Sequence, residues 1–181
     1  MKGIVFNLLE EVVTAHHGAD TWDDLLDQAG LSGAYTSLGS YPDSDMENLV
    51  TSAATMLQIS TDEVLCWFGQ QAIPLLAKRY PIFFTNHQTT RSFLLTLNNI
   101  IHPEVKKMYK GAEVPTFDFN DNDENVFIMN YYSARQLCPL AEGFTRGAAA
   151  YFKEHIQFTH TACMREGDLK CVFHIHFNNQ E

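Results

Sequence analysis

Apolar residues recur at helical spacing through the first hundred positions of the chain, in successive segments separated by polar residues and glycine. Gly18 follows the first segment and Gly30 the second, and glycine readily ends a helix. Ser60 and Glu63 have the spacing of a capping box at the start of a later helix, which Pro74 is expected to kink or end. The pattern therefore predicts a helical N-terminal region.

The hydrophobic period changes after Gly111. Phe117 and Phe119 alternate with polar neighbours, residues 120–125 are rich in turn formers, and residues 126–132 have the pattern of a return strand. Helical spacing returns over residues 137–152, and two further strands are predicted over 157–163 and 171–177. The predicted fold class is α+β, with a helical N-terminal subdomain packed on a C-terminal subdomain that contains an antiparallel sheet and one long helix.

Composition and charge disfavour several classes of function. The 181 residues include 12 Lys and Arg against 22 Asp and Glu, a formal net charge of −10, which repels nucleic-acid phosphates and anionic membrane surfaces. No apolar stretch reaches the length of a membrane-spanning helix, and the run over residues 4–9 makes a poor signal peptide because Asn7 interrupts it. We therefore expect a cytoplasmic protein without a nucleic-acid or membrane partner. Four cysteines in a reducing compartment indicate buried thiols, metal ligands or a redox switch before disulfides.

His102 is the first candidate for chemistry. Pro103 disfavours the α conformation at the preceding residue, so we expect His102 at a break between helical segments. Apolar residues flank it on both sides. An imidazole there can be the single proximal ligand of a haem iron, or a core histidine bonded to a backbone carbonyl, which is the commoner case. The position of His102 alone leaves both roles open.

Tyr131, Ser133 and Arg135 are spaced at period two. In an extended segment these side chains project from one face and offer two hydroxyl donors and a guanidinium group. Such a set suits a pair of carboxylates, for example the two propionates of haem, whose burial without partners would be costly. The alternative is a solvated strand face.

Taken together, these residues resemble the motifs of the H-NOX (haem nitric oxide/oxygen binding) family, which comprises bacterial gas sensors related to the haem domain of soluble guanylate cyclase. The resemblance covers essentially the whole chain and is carried by Met1-Lys2-Gly3, His102 ahead of a Val-Lys-Lys-Met-Tyr stretch, residues 111–115, and Tyr131-x-Ser133-x-Arg135. It implies a single domain over residues 1–181, with a helical subdomain over about residues 1–60, a haem-ligating subdomain over 61–181, and b-type haem buried between them.

The resemblance also implies roles for individual residues. The resemblance implies that His102 is the proximal haem ligand. It also implies that Tyr131, Ser133 and Arg135, here called the triplet, hold the propionates, and that Pro115 presses on the macrocycle and distorts it. Oxygen-binding members supply a distal Tyr from the helix after the triplet, and the register from Arg135 gives Leu140 at that position. The other distal positions implied by similarity are Val5, Leu9, Ala72 and Leu76.

None of these distal residues carries a hydrogen-bond donor, and this bears on the choice of gas. Oxygen bound to ferrous haem draws negative charge onto its oxygen atoms and needs a donor, whereas nitric oxide binds strongly without one. A lost hydrogen bond is worth roughly 1–3 kcal/mol in a dry pocket, about one to two decades of affinity. The sequence therefore predicts a site selective for NO over O₂.

The cysteines suggest a second metal site. If the last two strands pair near the start of the long helix, Cys138, His160, Cys163 and Cys171 can converge on one tetrahedral Cys₃His site, which suits zinc. The wide spacing alone leaves this open, but some bacterial H-NOX proteins similar to this chain carry zinc at these positions. Thiolate ligands are also oxidisable, so the zinc could be structural or part of a redox switch. Cys66, beside two aromatic residues, is expected to be a buried core thiol.

We therefore expect a haem-based NO sensor that is not an enzyme. Because 181 residues leave no room for an effector domain, its partner should act in trans, by resemblance a sensor histidine kinase or a diguanylate cyclase/phosphodiesterase. One alternative is a thiol/zinc redox sensor in which haem is ancillary. The other is a haem enzyme such as a peroxidase or NO dioxygenase, for which no distal acid–base group is evident.

Overall fold

A computed structural model describes residues 1–123 and 125–178 of the chain. The N-terminal region consists of the helices α1 (Gly3–His17), α2 (Ala19–Ala29), α3 (Asp43–Leu57) and α4 (Thr61–Arg79). Gly18 and Gly30 end the first two helices with positive φ angles of 92° and 68°, as their positions predicted. The capping box is also confirmed, because the Ser60 side chain accepts the Glu63 amide while the Glu63 carboxylate accepts the Ser60 amide.

Helix α4 continues through Pro74 to Arg79, so of the two predicted effects of Pro74, a kink or the end of the helix, the second is wrong. Helix α4 packs against α7 (Cys138–Tyr151) more extensively than any other helix does. Close approach of the two backbones requires glycine at position 143, where a Cβ atom would lie 2.1 Å from the carbonyl oxygen of Cys66. The α4–α7 pair is the central helical contact of the fold.

The segment between α4 and the sheet is broken into short pieces. It contains α5 (Thr90–Leu94), a π-helix (Leu97–Ile101) and α6 (His102–Met108). The predicted break at His102 takes the form of a change of helix type, since the π-helix ends at Ile101 and α6 begins at His102. His102 itself is α-helical, with φ −65° and ψ −38°, so the expectation that Pro103 moves it out of the α conformation is wrong.

Four antiparallel strands form the sheet, confirming the predicted α+β class. They are β1 (Thr116–Asn120), β2 (Val126–Tyr132), β3 (His155–Ala162) and β4 (Cys171–Asn178), in the order β1-β2-β4-β3. Strands β1 and β2 form the predicted hairpin, in which Phe117 pairs with Tyr131. On the other side of β2, Tyr131 pairs with Cys171 of β4.

The buried side chains form two cores. One core lies among the four helices α1, α2, α3 and α4, and the other lies between the sheet and helices α5 and α7. Helix α4 belongs to both, because Ala72 lies in the first core and its neighbour Ile73 in the second. In the part of the chain that the structure describes, no helix combines the length and the hydropathy that crossing a membrane requires.

Candidate functional site

A cavity of about 540 Å³ lies between the two cores, within the size range of small-molecule and cofactor pockets. Its walls come from α1, α4, the π-helix, α6, the β1–β2 hairpin and α7, and they are mainly apolar. His102, Pro115, Tyr131, Ser133 and Arg135 all line it. Residues that are widely separated in the sequence therefore converge on one enclosed space.

His102 lies at the start of α6 with its ring against Phe117, at a centroid distance of 5.8 Å. Burial and the charge of Lys106 lower the pKa of His102 to about 4, and the backbone of Pro115 opposes this shift only in part. The imidazole is therefore neutral at pH 7 and keeps a lone pair for a metal. Its Nδ1 is buried without a hydrogen-bond partner, and a hydrogen bond with the backbone of Pro115 acts on the ring, so the protein satisfies the imidazole only in part.

The three residues of the triplet do not all lie on a strand. Tyr131 is buried near the end of β2, but Ser133 and Arg135 lie in the turn that follows, so the expectation of one extended segment is wrong. The turn still brings all three to the same cavity. Burial raises the pKa of Tyr131, whereas hydrogen bonding to Ser133 and to the backbone of Leu137 acts in the opposite direction.

Arg135 is held by two carboxylates from other parts of the chain. Its Nε donates to Oδ2 of Asp43 at 2.8 Å, and its Nη2 donates to Oε2 of Glu113 at 2.8 Å. The α-amino group of Met1 donates to the other oxygen of Asp43 at 2.7 Å. Two cationic groups thus border the cavity beside the hydroxyls of Tyr131 and Ser133, an arrangement that fits a ligand with carboxylate groups.

A different part of the wall is formed by apolar side chains of α1, α4 and α7. Of the residues that similarity implied there, Val5, Leu76 and Leu140 line the cavity. Leu9 and Ala72 are instead buried in the helical core, one residue out of register with the cavity. Their places in the wall are taken by Leu8 and Ile73.

The hydroxyl groups of this wall and its surroundings already have partners. Thr145 donates to the carbonyl of Ala141 in the preceding turn of α7 at 2.9 Å. Tyr80, which ends α4, is hydrogen-bonded through its hydroxyl to the hydroxyl of Tyr109, which ends α6. The tyrosine pair therefore links the end of α4 to the helix that carries His102.

The predicted cysteine cluster is present in the structure. One ligand atom from each of Cys138, His160, Cys163 and Cys171 lies within 4.8 Å of the others, and the sulfurs of Cys138 and Cys163 are 3.8 Å apart. A tetrahedral zinc ion with bonds of about 2.3 Å places two thiolate sulfurs about 3.8 Å apart, so the spacing fits zinc. The three cysteines are buried and His160 is exposed.

The thiols of this cluster differ in acidity. Burial raises the pKa of Cys138 to about 12 and also raises that of Cys171. At Cys163 the effect of burial is outweighed by hydrogen bonds from Arg165 and from the two other thiols, which lower its pKa. Cys163 is thus the first of the three to become a thiolate, the form that binds metal.

A family model described as Haem-NO-binding matches residues 2–160. The chain belongs to the haem-NO-binding family. It is similar to the crystal structure of an H-NOX protein from S. oneidensis in the Fe(II)NO state, with 33% identity, a TM-score of 0.92, and coverage of 99% of this chain and 100% of that chain. It is also similar to the crystal structure of an Fe(II) unliganded H-NOX protein from K. algicida, with 26% identity, a TM-score of 0.87, and coverage of 99% and 98%.

This H-NOX domain is therefore a member of a family of haem-based gas sensors, as its sequence motifs indicated. Sequence reasoning missed Asp43, Glu113 and the amino group of Met1, which surround Arg135. It also missed the tyrosine pair at the ends of α4 and α6. Neither group has a local signal, because its members are brought together only by the tertiary fold.

Proposed function

We propose that this H-NOX domain binds b-type haem through His102 and senses NO in preference to O₂. The observation that carries the proposal is the convergence on one apolar cavity of a neutral, half-buried imidazole, whose Nδ1 has no hydrogen-bond partner, with the group of Tyr131, Ser133 and Arg135. When bound, the haem supplies the iron that takes the gas. The triplet and the amino group of Met1 supply donors and positive charge for its propionates.

The proposed selectivity for NO rests on hydrogen-bond donors. Val5, Leu76 and Leu140 offer none to a bound gas, and the hydroxyl of nearby Thr145 is bonded to its own helix. Bound O₂ would therefore lack the partner that stabilises its partial negative charge, whereas NO does not depend on one. The absence of this hydrogen bond supports selective binding of NO over O₂.

The proposed signal is a rearrangement of the chain around His102. His102 would hold the iron of a bound haem, and Pro115, which also lines the cavity, would contact the macrocycle. Release of His102 would free the start of α6 and let the α1–α4 core rotate on the sheet core. By family resemblance, we propose that this motion regulates a sensor histidine kinase or a diguanylate cyclase/phosphodiesterase in trans.

Absorption spectroscopy of the ferrous protein tests the haem assignment and the choice of gas together. We expect a Soret band that shifts with NO but is not converted to a stable oxygenated spectrum in air. The partner is tested by assaying each enzyme class in complex with the domain. The expected result is a change of partner activity with NO that is absent in His102→Gly.

A second candidate function is thiol/zinc redox sensing, which the geometry of the cysteine cluster favours. In that case oxidation of Cys163 and its neighbours would release the metal and change the partner's activity. Partner control that survives His102→Gly but fails in Cys163→Ala would support this function over gas sensing.

A further inference from the structure

Asn98 joins the segment that carries His102 to the edge of the sheet. Its Nδ2 donates to the carbonyl oxygen of Phe117, and its Oδ1 accepts the amide of the same residue at 3.1 Å. Phe117 lies in β1, an edge strand of the sheet. The amide side chain of Asn98 therefore occupies the backbone groups that a further strand would use.

The same residue of β1 also contacts the imidazole. The ring of Phe117 packs against that of His102 at 5.8 Å with an interplanar angle of 29°. Asn98 precedes His102 by four positions, and it belongs to the π-helix that ends where α6 begins. π-helical turns are rare and are found frequently at functional sites. Asn98 and His102 thus contact the same residue of the sheet. Asn98 is hydrogen-bonded to the backbone of Phe117, and His102 packs against the ring of Phe117.

We propose that Asn98 is the positioning residue of His102: it anchors the start of the proximal segment on β1 and so fixes the imidazole relative to the cavity. This assignment rests on the proposed role of His102 as haem ligand. A ligand held in place loses little freedom when its bond to the metal forms, so a bond that has been weakened re-forms readily. A ligand on a loosened segment has more alternative positions once it is released, and it re-forms the bond less often.

The experiment compares Asn98→Leu with Asn99→Leu, which alters the exposed neighbour on the same π-helix. Resonance Raman spectroscopy of the ferrous haem protein gives the iron–histidine stretching frequency, and the spectrum of the NO complex gives the ratio of released to bound His102. For Asn98→Leu we expect a lower or broadened stretch and an increase of that ratio by about fivefold or more, because both hydrogen bonds to Phe117 are lost. Asn99→Leu should match wild type in both.

A readout that does not depend on haem checks the contact itself. Hydrogen exchange of the Phe117 amide should be faster in Asn98→Leu than in wild type, because that amide loses its acceptor. Asn98→Asp serves if the Leu variant does not fold, since its carboxylate still accepts the Phe117 amide but cannot donate to the carbonyl. We expect Asn98→Asp to show a smaller change of the released-to-bound ratio in the same direction.

The outcomes separate this assignment from the function on which it rests. Wild-type protein that takes up no haem would overturn both. Haem-loaded Asn98 variants with the stretching frequency and the NO spectrum of Asn99→Leu would overturn only the positioning role. In that case Asn98 would merely cover the open edge of β1, a structural duty that moves hydrogen exchange but not the iron–histidine bond.

Discussion

Tyr131 and Cys171 are direct partners across the β2–β4 ladder, so the proposed propionate-binding group and the cysteine cluster share one pair of strands. The charges of Cys138 and Cys171 also act to raise the pKa of Tyr131, but less than burial raises it and less than its hydrogen bonds with Ser133 and the backbone of Leu137 lower it. The cysteine cluster therefore lies next to the wall of the cavity.

The first prediction is that the purified domain contains about one zinc ion per chain, held by the Cys₃His cluster. Removing it with a chelator should lower Tm by about 5–10 °C, because a metal present at a hundred times its Kd stabilises a fold by about 2.7 kcal/mol. Metal analysis and thermal denaturation measure both quantities. Cys163→Ala should have the same effect as the chelator.

Cys66→Ala is the matched control for this prediction. Cys66 is a half-buried thiol on α4 outside the cluster, and burial raises its pKa. The variant should keep its zinc and its response to chelator. Wild-type protein without zinc, or equal metal loss in both cysteine variants, would contradict the assignment of the cluster.

The second prediction concerns the wall of the cavity at Leu140. Replacing Leu140 with Tyr introduces a hydroxyl donor beside Val5 and Leu76, which offer none, and it should raise the O₂ affinity of the ferrous protein by about one to two orders of magnitude. Absorption titration with O₂ measures the change. Leu140→Phe adds the same ring without the hydroxyl, so it should leave O₂ affinity close to that of wild type. Equal gains in the two variants would mean that ring size, not hydrogen bonding, controls O₂ binding.

The third prediction concerns the close approach of α4 and α7. Gly143→Ala should lower the free energy of unfolding by about 1–3 kcal/mol, since its Cβ would overlap the backbone of Cys66 and the helices must separate. Urea denaturation measures the loss. Gly147→Ala should destabilise less, because its Cβ would lie 2.7 Å from the Gln70 carbonyl oxygen, whereas the Gly143 contact is 2.1 Å. An unchanged urea midpoint for Gly143→Ala would show that the two helices are not so closely packed.

Much of the fold could be predicted because its signals are local. The capping box at Ser60, the hairpin at Phe117 and the strand that begins at Cys171 depend on residues only a few positions apart. The errors have a different origin. Helix α4 continues through Pro74 and packs extensively against α7, and no sequence pattern within α4 indicates that packing.

The residues of the candidate site could be predicted only where they belong to a sequence motif. His102 and Arg135 could be found because the family motif includes them, but the ion pair of Arg135 with Asp43 spans 92 positions. The contact of Asn98 with Phe117 likewise joins an irregular helix to a strand. Leu9 and Ala72 were wrongly expected in the cavity wall for a third reason. Neighbouring residues of a helix point in different directions, so a shift of one position moves a side chain from the wall of the cavity into the core behind it.

The last prediction concerns the acid stability that Asp43 provides. Burial raises the pKa of Asp43, but hydrogen bonds from the amino group of Met1 and from Arg135, together with their charges, bring it below the ordinary value of 3.8. A carboxylate whose pKa is lower in the folded state stabilises the fold fully above 3.8, and this contribution is lost as pH falls through the lower folded value. Asp43→Asn should therefore be less stable than wild type near neutral pH, and the difference should shrink in acid.

Urea denaturation of both proteins between neutral and strongly acid pH measures that difference. The effect should be modest, because the Asp43 side chain is 42% exposed and solvent screens its ion pairs. Asp23→Asn, which changes an exposed carboxylate of α2, should track wild type throughout. A stability difference for Asp43→Asn that persists unchanged in strong acid would mean that Asp43 contributes through packing, and not through its ion pairs with Met1 and Arg135.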